Sequence, residues 1–141
     1  MSPYDYAKLE WANGIKEMPG PNKNNPRIVW YASFTTLKAS DDETPWCSAF
    51  ICAMAFLAGL QSTKSAAAIS WMNYGVDGGG SIGDIAVLKR VGGHHVAFIN
   101  KPYNKGDRLI NLLGGNQGNA VSIEDFKAEN LIGIRRFPVL T

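Results

Sequence analysis

Gly75-Val76-Asp77-Gly78-Gly79-Gly80 divides this chain of 141 residues into two halves with different periodicities. Before it, apolar residues recur at spacings of three and four; after it, short apolar runs alternate with turn residues. Helices followed by strands read as an α+β fold, with N-terminal helices packed on a C-terminal antiparallel sheet. The glycine cluster is the punctuation between the two.

On the helical side, Tyr4 to Met18 carries Tyr6, Leu9, Trp11, Ile15 and Met18 at mixed helical spacing, and Pro19 to Pro26 breaks it. Pro26 to Leu37 reads as a second helix, although Val29, Thr35 and Thr36 are β-branched and weaken it. Thr44 as cap and Pro45 at the first helical position open a third, with Trp46, Phe50, Ala53, Phe56, Leu57 and Leu60 on its apolar face. Ser65 can cap a short fourth helix, Ala66 to Tyr74. On the other side, Asp84 to Lys89, His95 to Asn100, Arg108 to Leu113 and Ile132 to Phe137 read as strands. Gly92-Gly93 and Asn104 to Asp107 supply hairpin turns, so neighbouring strands are expected to be antiparallel.

The length and a hydrophobic content of 45% suit one domain spanning 1–141. A formal net charge of +2 with scattered Lys and Arg gives no basic stripe, which argues against nucleic-acid binding. No basic segment followed by an apolar stretch opens the chain, and the longest apolar run, Ala49 to Leu60, is too short to cross a bilayer. A product without signal peptide or membrane insertion, cytoplasmic on synthesis, is the expectation.

The third helix carries the chemistry. In this reading Cys47 sits at about the third helical position, where free backbone N–H groups and the helix dipole favour thiolate over thiol. Cys52, five residues on at about 100° each, lies roughly 140° around the helix, so it reads as a separate, buried and inert thiol. A nucleophile of this kind needs a base and a group that orients the base. His94 and His95 are the two histidines, adjacent at a strand start, and alternation allows only one to face the helix. After the third strand, Gly114-Gly115 permits close backbone approach, and Asn116 or Gln117 could accept the imidazole N–H. Asp41-Asp42-Glu43 reads as a solvated acidic turn, with calcium as the less favoured alternative. Trp46 and the Trp71-Met72-Asn73-Tyr74 segment offer aromatic surface for a substrate, against core packing as the ordinary role.

Four motifs in order, Pro45-Trp46-Cys47-Ser48-Ala49-Phe50, Gly83-Asp84, His95-Val96-Ala97-Phe98 and Gly114-Gly115-Asn116-Gln117, resemble the NlpC/P60 and CHAP superfamily of papain-like cysteine peptidases. The resemblance runs from about Lys16 to Arg136. It implies a papain-like core with a sheet of about four to six strands and a peptidoglycan hydrolase cutting an amide bond of the stem peptide, or between sugar and peptide. It assigns Cys47 as nucleophile, His95 as base and Asn116 as the polar third member; Trp46, Gln117 and Trp71 are the candidate substrate-binding residues. No metal or organic cofactor is required. The partner implied is bacterial peptidoglycan, reached after release or delivery as a phage lysin or antibacterial effector, with an immunity protein in the effector case. Two other functions remain open at this level: a transamidase or deamidase of proteins, and an inactive cell-wall-binding module.

Overall fold

The computed structural model describes residues 1–20, 23–40 and 45–138. Helix α1, Pro3–Ala12, starts at a complete capping box: the Ser2 hydroxyl accepts from the Asp5 N–H at 3.1 Å, and the Asp5 carboxylate accepts from the Ser2 N–H at 2.8 Å. It ends six residues short of Met18, because Asn13 and the left-handed Gly14 terminate it. The following stretch runs instead beside the sheet, with the Val121 N–H donating to Ile15 O and the Glu17 N–H to Asn119 O.

Helix α2, Pro26–Ala32, is capped by the Asn25 side chain on the Arg27 N–H. It stops before Leu37 because the Ser33 and Thr35 hydroxyls donate back to the carbonyls of Trp30 and Ala32 and close the last turn. Helix α3, Cys47–Leu57, is the centre of the molecule: Cys47 through Ala55 are buried without interruption. Such a helix is apolar on all sides because α1 and α2 cover one side and the sheet the other. The expected fourth helix is a 3-10 turn over Ala68–Asn73 whose cap, Ala67, has no side chain to satisfy an N–H.

Six strands follow: β1 Val76–Asp77, β2 Ile85–Arg90, β3 Gly93–Ile99, β4 Leu109–Gln117, β5 Ala120–Lys127 and β6 Leu131–Arg136. They form one antiparallel sheet in the order β1-β6-β2-β3-β4-β5. This is the α+β architecture that the change of periodicity implies. β1 and β5 were not among the expected strands; β1 is two residues long, and β5 is mostly half-buried with little alternation to read. The segment Gly114 to Gln117 lies inside β4, not in a turn after it, and the reversal falls at Gly118-Asn119, both left-handed.

One face of the sheet, with Ile85, Val87, Val96, Phe98 and Leu113, packs against α3. The other face gathers Ala86, Leu88, Ala97, Ile99, Ile110 and Leu112 beneath Tyr103, Phe126, Leu131 and Ile134. Asp84 ties the start of β2 to the end of β6, accepting from the Gly80 and Ser81 N–H groups and from Arg136 at 2.7 and 2.9 Å. Among the described residues no helix is long and apolar enough to cross a membrane.

Candidate active site

Helix α3 begins one residue after Trp46, which is its N-cap at φ −127° and ψ 18°, and the Trp46 carbonyl accepts from the Phe50 N–H at 3.0 Å. Cys47 is therefore the first helical residue and not the third, and the expected cap Thr44 lies outside the described residues. What fixes the start is the anchoring of Trp46. Its indole N–H donates to Glu17 at 3.0 Å, its ring stacks on Tyr31 at 5.9 Å, and its far edge lies under Gly115. Trp46 is 2% exposed and Trp71 0%, so neither offers the substrate-binding surface expected of it. Both are core anchors; the Trp71 indole donates to Ser48, which in turn donates to the Ser65 carbonyl.

The sulfur sits where the sheet opens. Within β3 the Ile99 N–H donates to Asp84 O on the β2 side at 2.8 Å, whereas the Asn100 N–H donates to Asn111 O on the β4 side at 2.9 Å. Backbone groups alternate along a strand, so the Val96 N–H points toward β4. The β3–β4 ladder pairs Phe98 with Leu113 and Ile99 with Leu112, which leaves Val96 beyond its end. The Cys47 thiol takes the vacant place: the N–H groups of Val96, Ser48 and Cys47 itself are directed at it. Burial nevertheless prevails over these N–H groups and over Arg90, and pushes the Cys47 thiol up from its ordinary value. The expected preference for thiolate is thus overturned in the resting site, because desolvation outweighs the helix start.

His95 precedes Val96 and spans the same opening on the sheet's second face. Its Nε2 lies 3.0 Å from Gln117 Oε1. The Gln117 amide NH2 is engaged by the Leu112 carbonyl at 3.3 Å and the Ser122 carbonyl at 3.0 Å, so Oε1 is the acceptor and the proton resides on His95 Nε2. Nδ1 is then the free lone pair, available as a base. Burial pushes the imidazole down from its ordinary value; the Gln117 bond pulls it up and Arg90 adds a smaller downward push. Thiol and imidazole are therefore both neutral at rest, the sulfur reaching the opening from the α3 face and the ring from the other.

Gln117, expected to touch substrate, is 3% exposed and takes the orienting place expected of Asn116. The reason is a register shift in β4 between Gly114 and Gln117, in which Asn116 adopts φ 60° and turns away half-buried. Gly114 makes room for the inward turn: a Cβ there would lie 2.5 Å from Gln117 Oε1 and 2.7 Å from Ala97 Cβ. The other histidine, His94, is half-buried opposite Lys89 on the Val96 and Phe98 face. A cleft of about 390 Å³ opens over His95, Asn116, Gln117 and Phe126, with Arg90 and Glu124 on its rim.

Cys52 is buried and its sulfur points to the Ser65 carbonyl at 3.9 Å, and both cysteines are free thiols. No group of three or more metal-ligating side chains occurs among the described residues, and Asp41-Asp42-Glu43 lies outside them. Comparison with protein-family models, with curated proteins and with solved structures finds no match to this chain.

Proposed function

We propose that this protein is a cysteine hydrolase of peptidoglycan that cleaves an amide bond of the stem peptide, or between sugar and peptide. The observation that carries the reading is the sheet opening between β3 and β4. A first-turn cysteine enters it at Val96 from the α3 face, and His95, next to Val96 in β3, is held on the second face by Gln117 with its other nitrogen free. The four ordered motifs supply the substrate class. Localisation at the cell wall and delivery as a lysin or effector belong to the same reading.

The chemistry follows from a neutral pair. The Cys47 S–H proton passes to His95 Nδ1 as sulfur attacks the carbonyl carbon, and the oxyanion is met by N–H groups at the helix start. The imidazolium gives that proton to the leaving nitrogen, the C–N bond breaks and a thioester remains. Water then attacks, its proton passing through His95 to sulfur as the C–S bond breaks and the acid is released. Gln117 keeps the imidazole in the tautomer this requires.

The test is mass spectrometry of fragments released from purified peptidoglycan under reducing conditions by wild type, Cys47→Ala, His95→Ala and His94→Ala. Release by wild type and His94→Ala, with none from the other two, is the expected result, and the new termini name the bond. Intact peptidoglycan after wild-type treatment sinks the proposal; activity lost in His94→Ala but kept in His95→Ala moves the base to the α3 face.

A further inference from the structure

The geometry points to Phe126 as a positioning residue for the base, a deepening that rests on the reading of His95 above. Its ring lies flat on the imidazole, with centroids 5.3 Å apart and planes within 21°. The two come from elements that are not neighbours in the sheet: β4 separates β5 from β3. An imidazole held by one hydrogen bond can still rotate about that bond's axis, and a flat ring on its face removes this freedom. Gln117 thus fixes one edge of His95 and Phe126 fixes its plane, so that Nδ1 keeps a single direction. The cleft lined by His95 and Gln117 also runs along Phe126, although His95 itself is only 4% exposed.

The charged groups near the imidazole are Lys89 and Arg90 from β2 and Glu124 from β5, with neutral Gln117 from β4. None of them lies in a described ion pair, so none substitutes for the ring in orienting His95. Phe126 is half-buried on an edge strand, and replacement there leaves the α3 core untouched.

The experiment compares wild type, Phe126→Leu and Phe126→Tyr by ¹⁵N NMR of the histidine ring nitrogens, alongside kcat and KM on peptidoglycan. Wild type and Phe126→Tyr should show His95 in the single Nε2–H tautomer. Phe126→Leu lets the ring tilt out of line with Gln117 and weakens the Nε2–H bond that selects the tautomer, so it should show a mixture of tautomers and a kcat lower by roughly 2- to 12-fold, the size of one aromatic pair, with KM little changed. Leucine preserves apolar cover, so a loss confined to packing would shift melting without mixing the tautomers. A Phe126→Leu protein that keeps the single tautomer overturns the assignment. So does a Phe126→Tyr protein with the leucine phenotype. The tautomer readout needs no substrate; intact peptidoglycan with wild type removes the hydrolase reading and leaves the positioning of His95 to be decided by NMR.

Discussion

Gly115→Ala tests whether Cys47, the proposed nucleophile, is held by the packing of Trp46. A Cβ at Gly115 would lie 2.7 Å from Trp46 Cζ3 and 2.8 Å from both Trp46 Cε3 and Phe50 Cβ. Carbon atoms rest at about 3.5–4.0 Å, so one side must retreat by roughly 1 Å. The indole has little freedom, since Glu17 holds its N–H and Tyr31 stacks on its face. Overpacking a tight core costs about 1–3 kcal/mol, and with about 2 the melting temperature of a domain this size should fall by roughly 6–8 °C. Function should suffer more than stability. Trp46 is the cap of α3 and bonded to Cys47, and a catalytic atom misplaced by about 1 Å loses on the order of 100-fold in rate. The assay is thermal melting by circular dichroism together with fragment release at 25 °C, well below the transition. Gly93→Ala is the control, because a Cβ there meets nothing within 4 Å. A Gly115→Ala protein that melts with wild type and cleaves at the wild-type rate would refute the close approach of β4 to α3 and the argument built on it.

Two further outcomes are expected. Burial alone would raise the Asp84 carboxyl, but the bonds from Arg136, Ser81 and Gly80 outweigh it and hold it below the usual carboxylate range. A depressed folded value means that its stabilisation is complete above the unfolded value of about 3.9 and is lost as pH falls through the folded one. Urea midpoints of wild type should therefore fall with acidification through this range, while Asp84→Ala, less stable at neutral pH by about 2–3 kcal/mol, should show a flatter profile; parallel profiles would remove Asp84 from the account. Iodoacetamide labelling of Cys47 in a Cys52→Ala protein should be slow at neutral pH and accelerate beyond the ordinary thiol range, because burial favours the protonated thiol. Rapid labelling under mildly acidic conditions would mean a preformed thiolate–imidazolium pair instead.

The architecture was legible wherever hydrophobic period coincided with punctuation. Helical apolar spacing, helped by Pro26 and Pro45, gives three helices, and short apolar runs separated by turns give four of the six strands. Helix ends are not legible where side chains compete for backbone groups: Ser33 and Thr35 close α2 early, and Asn13-Gly14 stops α1. β5 leaves no pattern to read because an edge strand with half-exposed residues needs no strict alternation. Tryptophans were harder, since the partners that satisfy Trp46 and Trp71 when buried, Glu17 and Ser48, are 29 and 23 residues away in the chain. The state of the thiol was out of reach for the same reason: a helix start is local and visible, whereas the burial that opposes it comes from the whole fold.

Gly114 to Gln117 shows how one tetrapeptide can read as a turn and act as a joint. Gly114 lets the Gln117 amide fold back against Ala97, and Gly115 lets Trp46 and Phe50 of the α3 start press on the strand from the other face. Asn116 is among the residue types that tolerate a left-handed backbone, and its φ of 60° absorbs the register shift that turns Gln117 inward. Gln117 then meets His95 across the opening that Cys47 enters at Val96. Each residue type answers to a different neighbour, and all those neighbours belong to the opening between β3 and β4. A hairpin turn would need none of these approaches. The demand that two glycines admit contacts on opposite faces of one strand therefore makes this segment part of the site, beyond what its composition as a loop would suggest.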